Sequence, residues 1–154
     1  MVKAIPDGYH TATPYLIVDG AAQAIDFYTN AFGAKELFRM HTPDGHIGHA
    51  QIRIGDSVIM LADEAPGYRS PRSLGGAAVG MMLYVEDVDD CFTRAVAAGA
   101  KEQRPLMNQF YGDRSGTIED PFGHVWTIAT HVEDVAPEEM RRRMEAFTKQ
   151  QQGK

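Results

Sequence analysis

The side chains with chemistry to offer are six histidines, a set of tyrosines and carboxylates, and one cysteine. His46 and His49 stand three residues apart, which on a strand puts them on opposite faces and argues against joint metal ligation. His46 reads as the end of the turn Thr42-Pro-Asp-Gly45. His49 is placed to face a cleft, either as a functional imidazole or as a hydrogen-bonded core histidine. Asp63 and His131 each follow a turn glycine, Gly55 or Gly123, by eight residues. That equivalence suits an acid–base pair or polar clamp, with His131 changing protonation near neutral pH, or two solvated strand ends. In Gln109-Phe-Tyr-Gly-Asp-Arg114, Phe110 and Tyr111 are able to stack on a planar ligand while Arg114 meets an anionic group. The competing reading is a hairpin turn with Asp113 and Arg114 paired at the surface. His124 and Trp126 read as structural, and His10 and His41 as surface residues. No nucleophile with an adjacent base and no glycine-rich phosphate loop is present.

These groups need strands and helices to position them. In the first half, Thr11 to Val18, Ile47 to Ile54 and Ser57 to Leu61 read as strands. Between the first two, Ala21, Ala24, Ile25, Tyr28, Ala31 and Phe32 form one apolar helical stripe, with Asp19 expected as its cap and Gly33 as its stop. The second half repeats this order. Met81 to Val85 reads as a strand, Asp87 caps a helix burying Val88, Phe92, Ala95 and Val96, and Gly99 ends it. The helix ends share nearly the same words, Ala31-Phe-Gly-Ala-Lys-Glu36 and Ala97-Ala-Gly-Ala-Lys-Glu102, and each half closes with a glycine turn and a strand. An internal duplication explains that order.

The expected division is a first module over 11–64, a linker or flap over 65–76, a second module over 77–133, and a C-terminal helix and tail over 134–154. Pro137 suits the first turn of that helix, and Met140, Met144 and Phe147 mark its apolar face beside Arg141, Arg142 and Arg143. The chain has 154 residues, enough for one domain of two small modules sharing a core. A net charge of −6 argues against a nucleic-acid partner, and the lone Cys91 excludes an intramolecular disulfide or a zinc cluster. No signal-peptide core or membrane-spanning run is apparent, so a cytoplasmic protein is expected.

Asp120-Pro-Phe-Gly-His-Val-Trp126 resembles the Asp-Pro-x-Gly turn that opens the last strand of vicinal oxygen chelate proteins, the glyoxalase/bleomycin-resistance/dioxygenase superfamily. Tyr15-Leu-Ile-Val-Asp-Gly-Ala-Ala-Gln-Ala-Ile-Asp-Phe-Tyr28 resembles its first strand and helix, and Val85-Glu-Asp-Val-Asp-Asp90 its second. Gly48 to Asp63 looks closest to the PhnB-like branch. The resemblance implies an α+β fold of two βαβββ modules around a U-shaped sheet cleft, followed by the C-terminal helix. In metal-using relatives, ligands stand on the first and last strands of each module. Counting from Val18 and Val85, and from Gly55 and Gly123, puts Thr13, Gly80, Ile59 and Thr127 at those places. None is a His, Asp or Glu, so no metal or other cofactor is expected.

The same counting turns Thr13, Tyr15, Ile17, Ile59, Leu61, Asp63, Gly80, Met82, Tyr84, Thr127, Ala129 and His131 into the cleft. With His49, Phe110, Tyr111 and Arg114 this gives a mostly apolar pocket with polar points at its edge. The leading expectation is metal-free binding of a small organic molecule by a homodimer. Its rivals are a metal-dependent lyase, isomerase or dioxygenase with non-standard ligands, and a subunit-interaction protein with a vestigial cleft.

Overall fold

The apolar stripes of the two halves meet across one shared core. In the computed structural model, which describes residues 1–154, the first half runs β1 (Tyr15–Val18), α1 (Ala21–Phe32), β2 (Lys35–His41), β3 (Ile47–Ile54) and β4 (Ser57–Asp63). A short α2 (Pro71–Leu74) lies in the connection. The second half runs β5 (Gly80–Tyr84), α3 (Val88–Ala97), β6 (Lys101–Asn108), β7 (Asp113–Glu119) and β8 (Val125–His131), and α4 (Pro137–Gln152) follows. Each half forms a four-stranded sheet of the same topology, β1-β4-β3-β2 and β5-β8-β7-β6, with one parallel pair between its first and last strands. This is the expected pair of βαβββ modules with a C-terminal helix.

The helices stop and start as local chemistry requires, with one exception. Gly33 takes a left-handed φ of 68° and ends α1, while Asp87 accepts the Asp90 amide at 3.1 Å and caps α3. Asp19, the expected cap of α1, makes no such bond; Gly20 stands at the cap with a φ of 105°. The carboxylate that serves the helix comes from the far end of the module. Asp63 Oδ1 accepts the amides of Gly20 at 3.1 Å and Ala21 at 2.7 Å, and its Oδ2 accepts Ile47 N at 2.7 Å. An anionic acceptor there is favoured by the helix dipole as well as by hydrogen bonding.

Helices α1 and α3 pack against one another, with Cys91 Sγ 3.6 Å from the Ala31 carbonyl. The core is one cluster of 25 buried residues drawn from both modules. At its centre Trp126 lies 4.8 Å from Phe32 and 5.3 Å from Tyr28, ring centre to ring centre. Asp120 is buried there and accepts four donors: Tyr28 Oη at 2.6 Å, Trp126 Nε1 at 2.9 Å, and the amides of Phe122 and His124 at 2.9 Å each. The Asp-Pro-Phe-Gly turn of the second module is thereby tied to the helix of the first. Burial and the Asp120 carboxylate hold the Tyr28 phenol well above its ordinary pKa. Helix α4 buries none of its residues; it docks through Phe147, 5.1 Å from Phe110, and through Arg143, which donates to Glu133 and to the Phe110 carbonyl.

Candidate functional site

The strand registers show which side chains face away from the helices. Tyr15 pairs with Met60 and Gln51 with Met60 and Phe38, so Phe38, Gln51, Met60 and Tyr15 form one row across the first sheet. In the second sheet the matching row is Arg104, Thr117, Thr127 and Met82. Tyr15, Ile17, Met82, Tyr84, Thr127, Ala129 and His131 therefore lie on the open faces as expected from the sequence.

Strand β4 departs from the expectation by one residue. Ile59, Leu61 and Asp63 lie on the helix-packed face, with Ile59 and Leu61 in the core, and Val58, Met60 and Ala62 take the open face. The cause is the turn. The first hairpin pairs Ile54 with Ser57 around Gly55-Asp56, while in the second, pairing stops at Glu119 and Val125 with residues 120–124 between them. The first hairpin thus runs one pair further toward its tip, and counting from the glycine slips by one. True equivalents are Met60 with Thr127, and Asp63 with Thr130. Thr130 Oγ1 accepts the Val88 amide at the start of α3 at 3.0 Å, as Asp63 accepts Ala21 at the start of α1. The acid–base pairing of Asp63 with His131 is thereby excluded, since the two are neither equivalent nor joined.

A cavity of about 950 Å³ opens at one end of the first sheet, floored by Tyr15, Ile17, Ile47 and Ala62. The β2–β3 turn, with Thr42, Asp44 and His46, closes one side, and Ala65, Pro66 and Tyr68 close the other. Tyr68 is presented by a tight turn in which Ala65 and Tyr68 exchange both backbone hydrogen bonds. Glu64 fastens the following segment by accepting Ser70 N, at 2.8 Å, and Ser73 Oγ, which lowers its pKa to about 2. His46 pairs with Asp44 at 3.1 Å and its pKa is raised by that carboxylate. Asp63 reaches the cavity wall, with its carboxylate engaged by the three amides.

Tyr15, half exposed, begins a hydrogen-bonded chain across the open face. Its hydroxyl lies 2.8 Å from His49 Nδ1, His49 Nε2 lies 3.1 Å from Gln51 Nε2, and Tyr9 Oη donates to Gln51 Oε1. Phe38 stands 5.7 Å from the imidazole, ring centre to ring centre. Burial and the nearby Tyr68 phenol raise the Tyr15 pKa, so its hydroxyl is neutral at physiological pH. Tyr9 and Tyr68 were not legible as site residues, because neither belongs to a patterned element, whereas Gln51 follows His49 by two residues on β3 and strand alternation could have found it.

The second sheet carries a different cluster. Asp113, only 4% exposed, accepts Tyr84 Oη at 2.8 Å and pairs with His131 Nδ1 at 2.8 Å. His131 Nε2 reaches Asp134 at 2.8 Å, and the two carboxylates raise the histidine's pKa. Asp113 likewise raises that of Tyr84. Thr117 and Thr127 share a hydrogen bond of 3.0 Å. Thr13 and Met82 meet at a smaller pocket of about 220 Å³ where the modules adjoin.

Phe110 and Arg114 stand outside both clusters. Phe110 packs on Phe147 and edge-on to Tyr111, and Arg114 makes a two-pronged ion pair with Asp89 of α3 at 2.8 and 2.9 Å. Arg114 pairs in register with Thr130, whose hydroxyl serves the helix start, so it points to the helix side. The surface pair Asp113–Arg114 does not form either.

With the register corrected, the four metal positions hold Thr13, Met60, Gly80 and Thr127. No three His, Cys, Asp or Glu side chains converge anywhere in a way that would hold a metal ion. These residues do not fit a divalent cation, which requires carboxylate, imidazole or thiolate donors.

Residues 9–128 match the Glyoxalase/Bleomycin resistance protein/Dioxygenase superfamily. The chain belongs to this superfamily. An uncharacterized member, Rv0887c of Mycobacterium tuberculosis (strain ATCC 25618 / H37Rv), is 46% identical over 86% of this chain and 81% of its own length. The crystal structure of TioX from Micromonospora sp. ML1 superposes with a TM-score of 0.63 at 26% identity, covering 82% of this chain and all of that one. FosX of Listeria monocytogenes, a fosfomycin resistance protein solved with Mn(II) and a sulfate ion, has the same fold at 18% identity with a TM-score of 0.62, covering 84% and 95%. The superfamily fold is common to that manganese-holding protein and to this chain.

Proposed function

We propose that this protein binds a small, planar, largely apolar organic molecule in the cavity of its first module, without a metal. The observation that carries the reading is the cavity itself. Its volume lies in the range of small-molecule sites, and its floor is Ile17, Ile47 and Ala62 with aromatic rings at Tyr15 and Tyr68. Its charged groups are spoken for: Asp63, Glu64, Asp44 and His46 all hold protein partners, leaving the phenols of Tyr15 and Tyr68 as hydrogen-bonding points for a ligand. Burial of apolar area then drives affinity, at about 25 cal/mol per Å² before ordering costs.

The protein acts as a cytoplasmic homodimer in this reading, most similar in kind to the PhnB-like and drug-binding branches. Exposed Tyr84, Met82 and Met107 on the second sheet, and Met144 on α4, support a covering subunit, two-fold symmetry being the commonest closed arrangement. Light scattering at micromolar concentration tests this directly, and a monomeric mass overturns it. For the cavity, a thermal-shift screen of planar aromatics should yield stabilising compounds. Ile17→Trp fills the floor and should abolish the stabilisation; a response unchanged by that substitution places binding elsewhere.

A further inference from the structure

The chain Tyr9–Gln51–His49–Tyr15 has a property that depends on its composition. Every member either donates or accepts, and the amide of Gln51 presents both functions. With the amide nitrogen toward His49, that nitrogen donates to Nε2, Nδ1–H donates to Tyr15 Oη, and the tyrosine hydrogen is free for the cavity. With the amide turned over, Nε2–H donates to the amide oxygen, Tyr15 donates to the bare Nδ1, and a lone pair of Tyr15 faces the cavity. Both arrangements satisfy every buried group. Turning one amide therefore converts the cavity's polar point from donor to acceptor.

Resting on the cavity reading above, we infer that this relay is a proton-accepting subsite and that the cavity takes a phenol-type ligand with its acidic hydroxyl on Tyr15 Oη. In the second arrangement the ligand O–H breaks and its proton passes to Tyr15 Oη, while the hydrogen of Tyr15 moves to His49 Nδ1. The ligand is then a phenolate, Tyr15 is unchanged, and His49 is an imidazolium whose Nε2–H is held by the Gln51 amide oxygen. Atoms and charge balance with no other reactant.

The surroundings favour this use. Around His49 stand Tyr15 from β1, Phe38 and Met40 from β2 and Gln51 beside it on β3, with Tyr9 of the N-terminal segment bonded to Gln51. No carboxylate bonds to the imidazole. Of the charged groups nearby, Arg53 lies further along β3, Asp63 is turned to the helix, Glu64 is tied to Ser70, and Asp44 is paired with His46. A new imidazolium at His49 therefore has the bound phenolate as its natural counter-ion. His131, by contrast, already sits between two carboxylates.

The test compares 4-nitrophenol with 4-nitrotoluene, similar planar molecules of which only the first has an acidic hydroxyl, at a pH one unit below the pKa of free nitrophenol. Calorimetry gives both affinities, and the visible phenolate band reports the protonation state of the bound molecule. Nitrophenol should bind on the order of tenfold more tightly, and as phenolate. Tyr15→Phe and His49→Gln should each erase that preference, so that within each variant nitrophenol binds no more tightly than nitrotoluene. In His49→Gln, which keeps hydrogen bonding but takes no proton, any bound nitrophenol should be neutral. Equal affinities in the wild type, or nitrophenol bound in neutral form, overturn the subsite while leaving the cavity reading intact. A preference that survives in both variants does the same. If neither compound binds, the cavity reading falls with it.

Discussion

Ile17 and Ala62 in the first sheet, and Tyr84 and Ala129 in the second, occupy the same place in the repeated fold. In the first module that place is the floor of a cavity, and in the second it carries a tyrosine whose ring stays exposed. Ile17 leaves open space and Ile47 has nothing to bond, whereas Tyr84 extends its phenol to the buried Asp113, which also holds His131. The polar groups follow the same division: a relay without a carboxylate on one face, a carboxylate–histidine–carboxylate chain on the other. Duplicated backbones keep their registers because backbone hydrogen bonding demands it, and their open faces diverge because no core contact restrains them.

The sharpest way to break this comparison is at the point where the modules are joined. Asp120→Ala leaves Tyr28 Oη and Trp126 Nε1 buried without an acceptor, and should cost about 3 kcal/mol or more in denaturant unfolding. A loss below about 1 kcal/mol would mean that the two halves do not depend on this carboxylate. A smaller effect is expected at the helix starts. Asp63→Ala removes an anionic acceptor from three amides and should cost about 2 kcal/mol, against about 1 kcal/mol for Thr130→Ala. Equal losses, or the reverse order, would contradict the assignment of these two residues as equivalents with unequal duties.

The smallest effect separates the two histidines. The folded-state pKa of His131 is raised above 6.5, so its contribution to stability is complete below that pH and is lost as pH rises through the raised value. Melting temperature should therefore fall more for the wild type than for His131→Gln when pH increases from about 6 to 8. Identical pH profiles would show that His131 takes up no additional proton on folding. Near this chain, Gly112 lets the β6–β7 loop lie against residue 133: an added Cβ would stand 2.2 Å from the Glu133 carbonyl oxygen. Gly112→Ala should dislodge the docking of α4, seen as faster amide exchange across 137–152, and unchanged exchange would refute that coupling.

The sequence determined what depends on local pattern. The 3.6-residue stripes and glycine stops of α1 and α3, the alternation of β1 and β8, and the duplicated order are all set by near neighbours along the chain and were legible as such, except that Val96 of α3, expected on the buried face, is exposed and Cys91 takes the core side. The one-residue slip on β4 exchanges Ile59 for Met60 and adds no carboxylate, imidazole or thiolate at that place. Strands β2 and β6 carry little alternation because both run largely exposed along the sheet edges. Tertiary structure alone decided the remainder. The length of one hairpin set the face of Asp63, and a carboxylate 42 residues away replaced Asp19 at the start of α1. Arg114 went to Asp89, 25 residues off, and Tyr9 found Gln51 across 42 residues. Each of these choices rests on a polar group finding a partner across the fold. Hydrogen-bond satisfaction is a property of three-dimensional neighbours, and sequence spacing does not contain it.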